Sequence, residues 1–153
     1  MNTAEITKIL SQCYLEDMEH WHKQIKESAQ VEIVKGPQMG LIMMRAKDNI
    51  QQHIFNLGEV LVSECVVSVD GQLGYGVVMG NRMLRAEVMA VIDAVYYSRQ
   101  IKWENLLIEI SSWLEEQRQA QKREQRRKFN ITCRSKVDFE IMDQPLGDQK
   151  DGK

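Results

Sequence analysis

The stretch "GYGVVMGNRMLRAE", residues 74 to 87, decides how this chain is read. Three glycines, Gly74, Gly76 and Gly80, lead out of a β-rich run into a helical one. Such a run is either a glycine loop that cradles phosphate or a hairpin strand followed by a helix. A dinucleotide fingerprint needs G-x-G-x-x-G at a strand-to-helix turn. Here the third glycine comes one place late, and the β-branched Val77-Val78 suits a strand where the helix should begin. A P-loop needs Lys followed by Ser or Thr after its last glycine, and Asn81-Arg82 stands there instead. The hairpin reading is preferred. Gly74 and Gly76 then mark a bulge or the close approach of another surface.

The flanks agree. Upstream, "VLVSECVVSV" (60–69) ends at Asp70-Gly71, a strong hairpin signal, with Leu73 to Met79 as the partner strand. Downstream, a helix is predicted from about Arg82 to Gln100, with Leu84, Val88, Val91, Ile92 and Val95 as its apolar face. Ala86, Ala90 and Ala94 make a stripe of small residues that permits close packing on the sheet. A second helix starts near Trp103, turns Leu106, Leu107, Ile110, Trp113 and Leu114 inward, and runs on as the polar "EEQRQAQKREQRRK".

Farther out, residues 2–28 have helical spacing, with Asn2 and Glu5 as a capping pair and a possible break between Ser11 and Leu15. Two β-prone runs, 31–35 and 41–47, flank Gly36-Pro37-Gln38-Met39-Gly40 and predict a hairpin. "NIQQHIFNLGE" reads as a connecting loop, and "SKVDFEIMD" as a late strand. The expected class is α+β. An antiparallel sheet of about 4–5 strands packs with an N-terminal helix or helix pair and two central helices. Residues 1–143 are expected to form one domain, and 144–153 a disordered tail.

A chain of 153 residues, 43% apolar and 27% charged, can build one globular core. A net charge of −2 argues against a general attraction to nucleic acid or acidic membranes. No stretch looks like a signal peptide or a membrane span, so the expected location is cytoplasmic. Cys13, Cys65 and Cys133 are odd in number and widely spaced, and are read as free buried thiols. His20 and His22 fall on different helix faces, and neither Cys-x-x-Cys nor His-Glu-x-x-His occurs, so no metal site is expected. The nine methionines and three tryptophans exceed what a small core obviously needs, which suggests an apolar face covered in an assembly.

Three places could carry function. Glu59, between a loop glycine and a strand start, is the candidate catalytic carboxylate; the alternative is a solvent-facing acid. Asn81, Arg82 and Arg85 at a helix start could hold an anion; the alternative is a plain cap with solvated arginines. Residues 117–136 carry eight Lys or Arg against the single acid Glu124, a local net charge of +7, with Arg126, Arg127 and Lys128 at the centre. Such a block suits an acidic partner surface or a triphosphate, or is a solvated helix end. With only Phe129 interleaved it does not suit nucleic acid.

The succession "GPQMGLIMMRAKD", "FNLGEVLVSECVVSVDGQLGYGVVMGNRMLRAE" and "KVDFEIM" resembles the G subunit family of the carbon–phosphorus lyase system, over roughly residues 31–142. The resemblance implies work beside H, I and J subunits in a cytoplasmic complex. That complex, with an L component, replaces the adenine of ATP by a phosphonate at the ribose anomeric carbon. A radical iron–sulfur reaction on the J subunit follows. ATP with Mg is then a substrate of the complex, and no cofactor is expected in this chain. The resemblance supplies no catalytic residue to carry over. Two readings stay open: the chain helps build the transferase active site, or it is a non-catalytic scaffold that stabilises and docks the nucleosidase-like I subunit.

Overall fold

The computed structural model describes residues 1–134. It divides into two units, Met1–Gln119 and Ala120–Lys153. The order is α1 (Thr3–Gln12), α2 (Leu15–Ser28), β1 (Val31–Lys47), β2 (Ile54–Val69), β3 (Gln72–Met79), α3 (Met83–Tyr96), a 3-10 turn (Ile101–Trp103) and α4 (Glu104–Arg134). The class is α+β, with an antiparallel sheet in the order β1-β2-β3.

The N-terminal helix pair forms as its pattern predicts. Asn2 and Glu5 complete a reciprocal capping box, and the chain breaks at Cys13-Tyr14 before α2 begins. Ile6, Ile9 and Leu10 of α1 and Met18, Trp21 and Ile25 of α2 face the core. The expected β2–β3 hairpin is present. Asp70 (φ 47°) and Gly71 (φ 86°) both take the left-handed region that a two-residue primed turn requires, and they set the Val69–Gln72 pairing.

The sheet has three strands among the described residues, where about 4–5 were expected. The runs 31–35 and 41–47 are not a hairpin but one strand of 17 residues. The proline's missing N–H and the glycine are absorbed as irregularities instead of a turn, because β2 is long enough to pair along the whole of β1. Register shifts fall between Ile33 and Lys35 and between Lys35 and Gln38, on either side of the cis Gly36–Pro37 bond. The expected loop 49–59 shrinks likewise to a tip at 48–53, since β2 already begins at Ile54. The expected strand at 137–141 and the tail from 144 lie outside the described residues.

Helix α3 is the centre of the core. Of its expected apolar face, Val88, Val91, Ile92 and Val95 are buried, whereas Leu84 is half exposed. Ala86, Ala90 and Ala94 are fully buried against β3. Cys65, Val67 and Val69 of β2 and Val78 of β3 meet this helix, and Trp103, Leu106, Ile110 and Leu114 join the same cluster. The tryptophans belong here and not to a surplus surface. Trp21 and Trp103 are buried, and Trp113 lies 6.5 Å from Trp21, ring to ring.

Of the two readings of Gly74 and Gly76, a bulge or a close approach, the structure contains the close approach. A Cβ on Gly76 would sit 1.9 Å from the Ala86 carbonyl oxygen, and one on Gly74 2.1 Å from that of Ala90. Both obstacles are helix backbone and cannot swing aside. Replacement of Gly76 by Ala must lift α3 off the sheet, with an expected loss of about 1–3 kcal/mol or more. Gly40→Ala, whose Cβ would meet only Val62 Cγ2 at 4.0 Å, is expected to be close to neutral. Urea unfolding midpoints of the two variants check this; equal midpoints would show that α3 is not so tightly seated.

Candidate functional site

The helix start at Gly80–Arg85 is built from the strand beside it. Gly80 (φ 84°) ends β3 and donates its N–H to Leu61 O at 2.8 Å. The hydroxyl of Ser63, fully buried on β2, donates to Gly80 O and accepts from Arg82 N–H, both at 2.8 Å. One serine thus ties the strand end to the helix start. The reading of the sequence passed over Ser63; its signal was a lone hydroxyl on the inward phase of an otherwise apolar strand.

The three candidate anion ligands have different fates. Asn81 and Arg82 are exposed, and Arg82 occupies the N-cap without a side-chain cap bond. Arg85 turns the other way: its Nη1 donates to Cys13 O at 2.6 Å and to Leu10 O at 3.4 Å. Its guanidinium therefore satisfies carbonyls at the end of α1. The neighbouring Cys13 thiol is pushed up to about 11 by burial and by Asp17, with Arg85 opposing. Cys65 is likewise buried and raised, first by burial and then by Glu87, so both stay protonated thiols. Cys133 is exposed, contrary to the expectation that all three are buried.

Glu59 stands on β2 opposite Met43 and is exposed on a two-stranded ribbon. Among the described residues no hydrogen bond or ion pair links it to Arg82 or Arg85. His22 faces Glu87 at 3.4 Å beside Lys26, and burial reinforced by the Lys26 charge lowers its pKa, with Glu87 acting the other way. No three His, Cys, Asp or Glu side chains among the described residues gather as a metal ion would need.

In the second unit, the basic block is helical as far as Arg134. Arg123, Arg126, Arg127, Asn130 and Ile131 share one helix face and line a shallow open depression of about 450 Å³. Lys128 is off this face and pairs with Glu124 at 3.7 Å. The trio Arg126, Arg127 and Lys128 is thus split, and Arg123 takes the third place on the arginine face. In the first unit, Arg118 pairs with Glu115 at 2.8 Å.

Asp93 is the one buried carboxylate among the described residues. It is 4% exposed, and its Oδ2 accepts the Tyr75 N–H of β3 at 3.0 Å, while no hydrogen-bond partner is found for Oδ1. Burial raises its pKa, and the Tyr75 bond only partly offsets this.

These features describe an α+β protein in which the candidate residues are scattered over several elements, not gathered into one catalytic cluster. Residues 2–144 match the family model described as phosphonate metabolism protein PhnG. A protein of Rhizobium meliloti (strain 1021), the alpha-D-ribose 1-methylphosphonate 5-triphosphate synthase subunit PhnG, is 30% identical over 138 residues, 88% of this chain and 84% of that one. The chain is therefore a phosphonate-metabolism protein, as its resemblance to the carbon–phosphorus lyase system implied. It belongs to the PhnG family. No helix among the described residues is long and apolar enough to cross a membrane.

The Asp93 shift has a sign that can be checked. A folded pKa above the unfolded value gives stability that is complete below the ordinary aspartate value of 3.8 and is lost as pH rises through the folded pKa. Asp93→Asn keeps an acceptor for Tyr75 N–H and cannot ionise. It is expected to be more stable than the wild type at pH 7, with the advantage shrinking as pH falls toward 4. Thermal unfolding at several pH values measures this, and a constant difference would contradict it.

Proposed function

We propose that this chain is a subunit of ribose 1-methylphosphonate 5-triphosphate synthase. It supports transfer of ribose 5-triphosphate from ATP to a phosphonate with release of adenine. In this reading it acts as the scaffold that stabilises and docks the nucleosidase-like I subunit, in company with H and J subunits, and no reacting group is its own. ATP with Mg is a substrate of the whole complex and not a cofactor of this chain. The relative in Rhizobium meliloti, itself a subunit by name, supports membership. The observation that carries the scaffold role is the scatter of the candidates: Glu59 stands on an open ribbon, and Arg85 is spent on the carbonyls of Leu10 and Cys13. Of the anion candidates, exposed Asn81 and Arg82 are the pair left for a phosphate.

The arginine face of α4 is read as a docking surface for an acidic partner. Several guanidinium groups on one helix face repel one another, and an acidic surface relieves that repulsion. The opposing reading, in which the chain contributes to the active site, would give Glu59 a role in steadying charge at the anomeric carbon.

Adenine release from ATP separates these readings. The chain alone is expected to release none, and to support release once the I subunit and the other components are added. Glu59→Gln is expected to leave kcat within about twofold, whereas a loss of 100-fold or more, the scale of a missing catalytic carboxylate, would favour the active-site reading. With Arg126, Arg127 and Lys128 all replaced by Gln, assembly is expected to slow and lose salt dependence, with the KM for ATP unchanged. A raised KM with normal assembly would assign the block to the triphosphate.

A further inference from the structure

Among the described residues β3 pairs only with Val62–Val69, and the pairing ends with Met79 opposite Val62. Beyond that point β1 and β2 continue as a bare two-stranded ribbon, from Leu41–Leu61 to Lys47–Ile54. The register places Leu41, Met43 and Leu61 on the face that the helices cover elsewhere, and Ile42 and Met44 on the other. These are exposed at 62, 48, 41, 50 and 42% respectively, so neither face is covered. An isolated hairpin is marginal in water, and one that is apolar on both faces is more costly still.

The tip is built, not loose. Asp48 accepts the N–H groups of Ile50 (3.1 Å) and Gln51 (2.9 Å), and exchanges backbone bonds with Gln52 and His53. This turn holds Ile50 outward at 89% exposure. Among the described residues both ribbon edges are open: β1 has no outer partner, and β2 has none where β3 has ended.

We propose that this arm is the principal docking element of the chain, and that it inserts into an apolar cleft of a different protein chain that covers both its faces. The inference rests on the subunit reading above and names the surface that would serve it. Nine large apolar side chains of residues 41–61, near half exposure or above, show on the order of 500 Å². That fills the largest apolar patch of an ordinary monomer and, with the ribbon backbone added, approaches one side of a standard interface. The arm's charges are Arg45, Lys47, Asp48 and Glu59, a net of zero, so its partner is apolar and near neutral, unlike the acidic surface that suits α4. A second copy is the poorer occupant. Two arms related by a twofold axis would cover one face each and leave the other bare. The open edges further suit a strand added from the cleft.

The test uses the full chain and the I subunit. Amide exchange of residues 41–47 and 54–61 is compared in the chain alone and in the complex, and the association of Leu41→Lys/Ile42→Lys and of Ile50→Asp is measured. The arm amides are expected to slow at least tenfold in the complex. The double variant is expected to lose about thirtyfold or more in affinity, the scale of an interface hot spot, with the melting temperature of the free chain unchanged. Unaltered association of both variants, or unchanged exchange in a complex that does form, would overturn the arm's role and leave the subunit reading standing. Failure of the wild-type chain to associate at all would overturn the subunit reading and the arm's occupant with it. Concentration-dependent dimers of the chain alone, with arm amides protected in them, would assign the arm to a second copy instead.

Discussion

The contact on which the structure depends is the seating of α3 on β3, glycine against alanine. With no Cβ at Gly74 and Gly76, and only methyl groups at Ala86, Ala90 and Ala94, helix backbone touches strand backbone. Every other part of the core is set by that depth. Val88, Val91, Ile92 and Val95 turn from the same helix toward the remaining elements and are covered by them. Asp93 lies at the strand's outer edge only because the helix is so near, and there it takes the Tyr75 amide, to which no other strand among the described residues is paired. Ser63 closes the same contact at its other end, where it binds Gly80 just after β3 and the N-cap Arg82 of the helix.

Much of this was legible because it is local. The Asp70-Gly71 turn, the Asn2–Glu5 cap and the break after Ser11 are decided by a few neighbouring residues, and each formed as read. The Gly-Tyr-Gly spacing opposite an Ala-x-x-x-Ala-x-x-x-Ala stripe is a longer-range pattern; it left a bulge or a close approach open, and the helix backbone against both glycines decides for the second. What misled was turn chemistry in a place where pairing decides. Gly36-Pro37 inside a short β-prone run predicts a turn; the same pair opposite a partner strand of 16 residues becomes a bulge. The length of β2 was itself hidden, because Asn56 and Gly58 in "IFNLGEV" look like loop residues.

The functional candidates were less legible for a related reason. Charge and spacing told that Arg85 lies in the first turn of a helix. Only packing told that α1 ends underneath it and offers two carbonyls. The basic block was visible as composition, but which cations share a face follows from the helix, which sets Arg123 with Arg126 and Arg127 and sends Lys128 to Glu124. The methionine excess pointed to an uncovered surface, and five of the eight among the described residues, Met1, Met39, Met43, Met44 and Met79, are exposed. Where that surface lay was not in the composition. It required knowing that β1 and β2 outrun β3.

The irregular pairing of β1 and β2 has a bearing on life in a crowded cell. A long, flat, apolar ribbon with two open edges is what stacks on its own kind, and a chain that makes one must keep it from meeting copies of itself during synthesis. The register breaks, at Lys35–Gln38 in the three-stranded part and again at Met44–Arg45 within the bare segment, coil the ribbon away from flatness. Arg45, Lys47 and Glu59 punctuate it with charge. Charge at such positions, like a register break, works against edge-to-edge stacking.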